Sequence, residues 1–148
     1  MEDDNKALFW GSGWDCFSNF SSFQVNYKGK LWPTSEHAYQ AAKFEDDAVQ
    51  EKIRSALSAF DAFTIGRQLV ELRVKNWEDV KVGIMEDIVR AKLEQHSHIK
   101  ETLIESGNRE IIEASPVDAF WGWGPNKDGQ NVLGKIWMKL REEINNGN

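Results

Sequence analysis

The sequence is poor in the features that mark secreted, membrane-spanning and nucleic-acid-coating proteins. Cys16 is the only cysteine, so no internal disulfide can form, and a cytoplasmic protein is expected. No run of about 18 apolar residues occurs, so no transmembrane helix is expected. The net charge of −6 argues against a broad basic surface that grips phosphate backbones. A small pocket for one phosphate or one extruded nucleotide remains compatible with this charge.

Common metal and nucleotide motifs are also missing. His96 and His98 are two residues apart without a third ligand nearby, and His37 lacks the H-E-x-x-H spacing of zinc hydrolases. The sequence contains no G-x-x-x-x-G-K-[ST], which excludes a P-loop. We therefore expect no bound metal and no phosphate-binding Walker motif.

Tryptophan, by contrast, is abundant, with seven residues in 148. A tryptophan ring buries a large area but requires a partner for its N–H, so it suits both hydrophobic cores and pockets for planar ligands. We expect half or more of these rings to lie in the core. The seven are Trp10, Trp14, Trp32, Trp77, Trp121, Trp123 and Trp137.

The N-terminal half contains a hairpin pattern followed by two helix patterns. Residues 22–27 and 30–32 flank Lys28-Gly29, which predicts a two-residue hairpin turn. Thr34 predicts the N-cap of a first helix that runs toward residue 44. A single amphipathic helix is predicted over residues 46–63, because apolar residues recur there at steps of four, four, three and three. Its apolar positions are Val49, Ile53, Leu57, Phe60 and Phe63.

The C-terminal half predicts three helices and one strand. Asn76 is the expected cap of a long helix, and Ser97 is the expected cap of a short helix that ends at Gly107. Residues 109–114 predict a strand, residues 115–131 a long loop, and residues 131–144 a closing helix. The predicted buried positions are Trp77, Val80, Ile84, Ile88 and Ala91 in the long helix, Ile99 and Leu103 in the short one, and Leu133, Ile136, Trp137, Leu140 and Ile144 in the last.

These patterns predict a mainly α protein, an α+β fold with minor N-terminal β structure. Strands and helices do not alternate, so a Rossmann sheet is not expected. No internal repeat, low-complexity tract or linker divides the chain, so a single domain over residues 1–148 is predicted.

The segment WPTSEHAYQAAKF, residues 32–44, is the first candidate site. On a helix, Glu36, Gln40 and Lys43 fall within about 60° of one another, with Tyr39 at the edge of that face. The carboxylate and the amine could form a general base and a cationic or nucleophilic partner. Equally, Glu36 could serve the helix end while Lys43 is solvated, and the pattern alone does not choose between these interpretations.

The segment DAFWGWGPNKDGQNVLG, residues 118–134, is the second. Glycines and asparagines before a helix can leave backbone N–H groups free to bind an anion. Asp118 adds a carboxylate, and Trp121 and Trp123 add stacking faces, although an ordinary glycine-rich loop over a core has the same composition. Before Trp77, Arg67 and Arg73 could likewise bind a phosphate or only face solvent.

Four motifs together resemble the NADAR family, also called YbiA-like. In order and spacing they are FSNFSS (17–22), WPTSEHAYQAAKF (32–44), IGRQLVELRVKNWEDVK (65–81) and DAFWGWGPNKDGQNVLGKIWM (118–138). The resemblance covers residues 9–141. It implies a compact, mainly α, single-domain YbiA-like fold that handles ADP-ribose-like or ribose-phosphate ligands.

The resemblance also implies an N-glycoside hydrolase without a cofactor. One family branch removes ADP-ribose from guanine bases in nucleic acid, and we expect this activity here, with ADP-ribosylated single-stranded DNA as a candidate partner. A second branch cleaves ribosylamino-pyrimidine 5-phosphates of the early riboflavin pathway and releases ribose 5-phosphate. A non-catalytic module that binds ADP-ribose or NAD is the further alternative.

Residue roles follow from the matched motifs. Glu36 and Lys43 match the acid and the lysine of the first motif, and we expect Glu36 as acid/base and Lys43 as nucleophile, with Asp118 as a second carboxylate. After Gly66-Arg67 the chain reads QLVEL, where relatives often carry proline and further basic residues, so phosphate recognition there rests on Arg67 and Arg73. The expected substrate-binding residues are Asn19, Phe20, His37, Tyr39, Gln40, Arg67, Arg73, Trp77, Trp121, Gly122, Gly124 and Asn131, the last at a helix start that would take a phosphate.

Overall fold

The structure is a computed structural model that describes residues 5–147. The mainly helical α+β architecture predicted from the sequence is confirmed. Within the described residues the strands are β1 (Lys6–Phe9), β2 (Val25–Tyr27), β3 (Lys30–Trp32) and β4 (Glu110–Glu113), and the helices are α1 (Ser35–Ala41), α2 (Asp47–Arg54), α3 (Ala59–Gln68), α4 (Trp77–Gln95), α5 (Ser97–Glu105) and α6 (Val132–Gly147).

The chain forms two compact units. The central unit runs from Asn19 to Gln95, and the terminal unit combines the chain up to Ser18 with the chain from His96 onward. The single domain predicted over residues 1–148 includes five residues outside the described range, and it stays a prediction.

In the central unit, β2 and β3 form the predicted antiparallel hairpin, with Val25 opposite Trp32. Lys28 and Gly29 both have positive φ angles, 50° and 79°. A two-residue turn with positive φ at both positions matches the twist of antiparallel strands, so this dipeptide fixes the register. The strand itself begins at Val25, later than the predicted residue 22.

Helix α1 begins where the sequence predicted but ends early. The Thr34 side chain accepts a hydrogen bond from the His37 N–H, as expected of an N-cap. The helix ends at Ala41, so Lys43 lies in the turn that follows, with its N–H donated to the Gln40 carbonyl at 3.2 Å. The prediction of helical structure as far as Lys43 was therefore wrong. The Lys43 N–H bonds to a carbonyl three residues earlier, as in a 3₁₀ turn, and not four residues earlier as in an α-helix.

The single helix predicted over residues 46–63 is also wrong, because the structure has two helices there. Asp46 caps α2 and Ser58 caps α3, so the second helix begins anew at Ala59. Leu57 lies in the break and is 97% exposed, and Phe60 is 64% exposed. The Ser58 side chain accepts the Asp61 N–H at 3.0 Å, which satisfies a helix start without continuing the previous helix.

Helix α4 begins directly after Asn76, as predicted, but it buries a different face. Trp77 and Ile88 are buried as expected, whereas Val80, Ile84 and Ala91 are only half-buried. The buried face instead includes Lys92, whose Nζ donates to Ser21 Oγ at 3.2 Å and lies 5.6 Å from the Phe23 ring centroid. Met85, Val89 and Leu93 are also buried on this helix, so the predicted stripe was displaced from the face that is buried in the structure.

In the terminal unit, β1 pairs in parallel with β4, and α6 packs against β4. The loop over 115–131 and the strand near 110 are confirmed. His96, not Ser97, holds the N-cap position of α5, and Gly107 follows the helix with φ of 61°. Of the predicted inward residues, Ile99, Leu103, Leu133, Ile136, Trp137 and Leu140 are buried, and Ile144 is half-buried.

Three of the seven tryptophans, Trp32, Trp77 and Trp137, are buried, fewer than expected, and Trp10 is 56% exposed. The Trp137 indole N–H donates to the Phe17 carbonyl at 3.0 Å, which satisfies a fully buried ring. Among residues 5–147, no helix is long and apolar enough to cross a membrane.

Candidate active site

The central unit places the Lys43 amine against two aromatic rings. Lys43 Nζ lies 5.2 Å from the Tyr39 ring centroid and 6.0 Å from that of Trp77. The two rings are themselves 5.3 Å apart, and both are buried. Burial lowers the pKa of the Lys43 amine, because the charged form loses its hydration. A larger fraction of this lysine is therefore in the neutral, nucleophilic form at a given pH than for an exposed lysine.

Nearby charges act on the same pKa in both directions. After burial, the next largest influence on the Lys43 pKa is the Glu36 carboxylate, which raises it. Arg73 and Lys81 lower the pKa of Lys43, and Glu78 raises it. Glu36 and Lys43 therefore lie within electrostatic range of each other, as the first candidate site requires.

Glu36 is a buried carboxylate, 6% exposed, in the first turn of α1. Its backbone N–H donates to the Asn19 carbonyl at 3.0 Å, and its Oε2 accepts from Gln40 Nε2 at 2.6 Å. Both its main chain and its side chain are thus held from within the central unit. The structure thus places Glu36 beside Gln40 and Lys43 beside Tyr39, although Lys43 lies after the end of α1.

The segment before α4 is tied to Lys43 through the backbone. The Val74 N–H donates to the Lys43 carbonyl at 2.8 Å, which brings Arg73 beside the lysine. Arg73 pairs with Glu78 at 4.0 Å, and Lys81 pairs with Glu78 at 2.5 Å. Lys81 was not singled out from the sequence, although its position four residues after Trp77 puts it on the same side of α4.

His37 and Asn19 are used inside the protein. His37 Nε2 is 3.0 Å from the Ala56 carbonyl, which can only accept, so this nitrogen carries the proton, and Nδ1 accepts from the Thr34 hydroxyl at 2.8 Å. Burial lowers the pKa of His37, which favours this neutral ring. Asn19 Oδ1 accepts from Ser35 Oγ at 2.9 Å. The structure therefore gives both side chains a role in holding α1, and their substrate contacts stay a prediction.

Phe20 is an exposed aromatic residue, at 46% exposure, and belongs to a larger patch. Its ring lies 6.5 Å from Phe63, which lies 6.2 Å from Phe60. We call Phe20, Phe60 and Phe63 the aromatic patch. Arg67, one turn further along α3 from Phe63, is also exposed.

In the terminal unit, Asp118 shapes its own loop. One carboxylate oxygen, Oδ1, accepts the N–H groups of Phe120 at 2.9 Å and Trp121 at 2.8 Å. Such bonds are typical of a turn built by an aspartate side chain. A catalytic role for Asp118 remains a prediction, and the Trp121 ring packs edge-on against Phe120 at 4.9 Å.

The glycines of this loop are explained by packing. A Cβ on Gly122 would lie 2.7 Å from the Glu113 carbonyl oxygen. Gly124 has φ of 72°, and a Cβ there would lie 2.7 Å from the Ala119 Cβ. Close backbone approach therefore accounts for both glycines without a ligand.

The groups at the start of α6 that were predicted to bind a phosphate are engaged within the protein. The backbone N–H groups of residues 130, 131, 132 and 133 donate to the carbonyls of residues 119, 122, 120 and 121. The Asn131 side chain is also engaged, since Oδ1 accepts the Glu113 N–H at 3.0 Å and Nδ2 donates to the Ile111 carbonyl at 2.9 Å. Asn131 thus binds the free edge of β4, and none of these groups is left for an anion.

Among residues 5–147, no group of three or more histidine, cysteine, aspartate or glutamate side chains could hold a metal ion. The fold is mainly helical α+β, and its central unit presents an amine of lowered pKa near a buried carboxylate. These features define a protein with a candidate site for nucleophilic and acid–base chemistry.

Comparison with known proteins identifies the family. The NADAR domain family matches residues 8–145, so the chain belongs to the NADAR family. The chain is 41% identical over 128 residues to the N-glycosidase YbiA of Escherichia coli, covering 86% of this chain and 80% of that protein. An NMR structure of Escherichia coli YbiA has a TM-score of 0.86 at 37% identity, covering 98% of this chain and 88% of that chain.

A further relative is larger than this chain. A riboflavin biosynthesis protein of Vibrio vulnificus is 40% identical over 127 residues, which cover 86% of this chain but 35% of that protein. The family match thus extends to a protein in which the matching region is only one part.

Proposed function

We propose that this protein is a hydrolase that cleaves a ribose C1–N glycosidic bond. The observation that carries the proposal is the Lys43 amine, whose pKa is lowered by burial against Tyr39 and Trp77 and which lies in electrostatic range of buried Glu36. Membership of the NADAR family and similarity to proteins named N-glycosidases support the same reaction class.

The reaction begins with the neutral Lys43 amine attacking ribose C1 as the C1–N bond to the base breaks. Glu36 gives a proton to the leaving base, which neutralises the negative charge that develops on its nitrogen. The bond between C1 and the ring oxygen then breaks, the ring oxygen takes a proton from the Lys43 nitrogen, and the open sugar is held on Lys43 as a protonated imine. Water, deprotonated by Glu36, adds to the imine carbon, and cleavage of the carbon–lysine bond returns the amine and the free sugar. The net change is one water added across the glycosidic bond.

The preferred substrate is a guanine base that carries ADP-ribose, in single-stranded nucleic acid. The aromatic patch supports this choice, because exposed rings are stacking platforms for unpaired bases. Phe20 directly follows Asn19, whose carbonyl accepts the Glu36 N–H, so the patch is joined through the backbone to the residue that holds Glu36. An enzyme acting on a single unpaired base needs little basic surface, in agreement with a net charge of −6.

A ribosylamino-pyrimidine 5-phosphate is the second candidate substrate. It is favoured by the similarity to the Vibrio vulnificus riboflavin biosynthesis protein. In this case Arg73, which lies beside Lys43, would bind the single phosphate. A module that only binds ADP-ribose or NAD would have no need of a buried carboxylate next to a lysine of lowered pKa.

Mass spectrometry of the products from two parallel incubations distinguishes these functions. One reaction contains a single-stranded oligonucleotide with ADP-ribosylated guanine, and the other contains the ribosylamino-pyrimidine 5-phosphate. Restoration of unmodified guanine in the first reaction alone supports the preferred substrate, whereas release of ribose 5-phosphate in the second alone supports the other. Absence of turnover in both, with ADP-ribose still bound, would refute the hydrolase proposal.

The covalent step has its own test. Reduction with cyanoborohydride during turnover should attach the sugar to Lys43, and peptide mass spectrometry should locate the adduct there. Lys43→Arg is the matched control, because it keeps the positive charge and most of the bulk but cannot form an imine. Turnover by Lys43→Arg at a rate close to wild type would exclude the lysine nucleophile and leave direct attack by water.

A further inference from the structure

Gln40 contacts both candidate catalytic residues and is itself almost inaccessible. Its side-chain Nε2 donates to Glu36 Oε2 at 2.6 Å, and its backbone carbonyl accepts the Lys43 N–H at 3.2 Å. The residue is 2% exposed, so a substrate has almost no surface of Gln40 to touch. This burial favours a supporting role for Gln40, and the substrate contact expected from the sequence stays a prediction.

The orientation of the Gln40 amide is determined by Glu36. A carboxylate oxygen at 2.6 Å needs the NH₂ group as a donor, so the amide oxygen must point the other way. That oxygen, Oε1, is buried and has no hydrogen-bond partner among the described residues. A buried acceptor without a donor is unfavourable, so this arrangement is retained against a local cost to stability.

Gly66 on α3 provides the space for this amide. A Cβ built on Gly66 would overlap Gln40 Oε1 and would lie 2.9 Å from Gln40 Cδ. Gly66 lies inside a ten-residue helix, where glycine is less favourable than alanine. Any side chain at position 66 would push the amide out of its place beside Glu36.

We infer that Gln40 is a positioning residue for Glu36. The space left on α3 by the missing side chain of Gly66, which we call the notch, accommodates the Gln40 amide in the orientation that donates to Glu36. The inference rests on the proposed function, in which Glu36 exchanges a proton with the leaving base and with water. The amide binds one carboxylate oxygen and so restricts the rotation of the whole Glu36 carboxylate group. The loss of stability from the unpaired Oε1 is then explained by the requirement that the Gln40 amide donate to Glu36 during catalysis.

Steady-state kinetics of three variants test the role of the notch. Gly66→Ala should lower kcat by about 100-fold with little change in KM, because a displacement near 1 Å of a catalytic group has an effect of this size. Gln40→Ala should have the same pattern, and Gln40→Glu should not restore kcat, since two adjoining carboxyl groups would share one proton and change the pKa at which Glu36 exchanges its own. A Gln40 that bound substrate would instead raise KM with kcat preserved.

Gly83→Ala is the matched control. Gly83 is also inside a helix, α4, but a Cβ there would meet nothing within 4 Å. This variant should keep wild-type kinetics and raise Tm slightly, by about 2–4 °C, because alanine is the better helix former. Gly66→Ala kinetics equal to those of Gly83→Ala would overturn the inference.

A double-mutant cycle on stability tests the contact even if the substrate assignment fails. Gly66→Ala should lower Tm in the wild-type background but raise it, as Gly83→Ala does, once Gln40→Ala has removed the overlapping side chain. An equal loss of Tm in both backgrounds would show that position 66 does not act through Gln40. If wild type has no glycosidase activity but the cycle is non-additive, the notch stands as a packing feature, and its catalytic purpose is refuted with the proposed function.

Discussion

Replacing Asn131 should cost the protein a large part of its folding stability without any ligand being involved. The side chain pairs with the Glu113 N–H and the Ile111 carbonyl, and Asn131 itself is 7% exposed. Asn131→Ala leaves these two main-chain groups unpaired at about 1–3 kcal/mol each. The residue also has φ of 51°, where alanine costs about 1 kcal/mol more than glycine. The free energy of unfolding should therefore fall by about 3 kcal/mol or more.

Urea-induced equilibrium unfolding measures this loss directly. Asn131→Gly should be less harmful than Asn131→Ala by about 1 kcal/mol, because it relieves the backbone strain but not the lost hydrogen bonds. Asn131→Asp should be nearly as harmful as Asn131→Ala, since a carboxylate oxygen would face the Ile111 carbonyl. Lys127→Ala is the control: this exposed residue also has positive φ, 59°, and replacing it removes a contact of its amine with the Trp123 ring but no buried hydrogen bond, so the change should stay within about 1 kcal/mol. An Asn131→Ala protein as stable as the Lys127→Ala control would refute the reasoning and return Asn131 to the ligand-binding candidates.

Three further predictions concern the central unit. Glu36→Gln should lower the pKa of Lys43 and Arg73→Ala should raise it, because the carboxylate favours the charged amine and the guanidinium opposes it. The pH dependence of Lys43 labelling by an amine-reactive probe measures both pKa values. Equal labelling midpoints in the two variants would contradict the electrostatic coupling of Lys43 to these residues. Thr34→Ala should lower the free energy of unfolding by about 1 kcal/mol through loss of the α1 N-cap, with Thr34→Ser close to wild type in urea unfolding. Leu57→Ser should change that free energy by less than about 0.5 kcal/mol because the side chain is 97% exposed, whereas a loss of several kcal/mol would indicate that Leu57 is in a core.

Helix starts were more predictable than helix ends. The Thr34 hydroxyl accepts from the N–H of His37, three residues ahead, so its cap is a local property that the sequence displays. The end of α1 at Ala41 has no such signal, and the residues after it are bonded to a distant segment, with the Lys43 carbonyl accepting the Val74 N–H. A contact between residues so far apart in the chain cannot be inferred from hydrophobic spacing.

Apolar spacing was misleading where polar caps competed with it. The series through Leu57 has helical steps, but Ser58 caps a new helix and leaves Leu57 in the break. Serine offers its hydroxyl to a backbone N–H, so it favours a helix start over a helix interior. The S-x-x-D arrangement of Ser58 and Asp61 was the available signal, and it outweighed the apolar period.

The loop before α6 illustrates a limit of composition. The glycines and asparagines of this loop predicted free N–H groups at the helix start. In the structure the chain folds back, and the carbonyls of residues 119–122 accept the N–H groups of residues 130–133. Composition indicates that a backbone can adopt an unusual path. It does not indicate whether a ligand or the protein itself provides the hydrogen-bond partners of the N–H groups along that path. The sequence therefore singled out Asn131 for a ligand, whereas its side chain is bonded to β4 in the structure.

The early end of α1 is what connects the candidate nucleophile to its electrostatic environment. In a longer helix the Lys43 carbonyl would face along the helix axis, toward an N–H four residues later. Because the helix ends at Ala41, this carbonyl accepts the Val74 N–H and brings Arg73 close enough to lower the pKa of the lysine. Glu36, in the first turn of the same short helix, opposes that effect. The length of α1 thus places Glu36 in its first turn and leaves the Lys43 carbonyl free to bond the segment that carries Arg73. Both features are needed for the opposing effects of Glu36 and Arg73 on the pKa of Lys43.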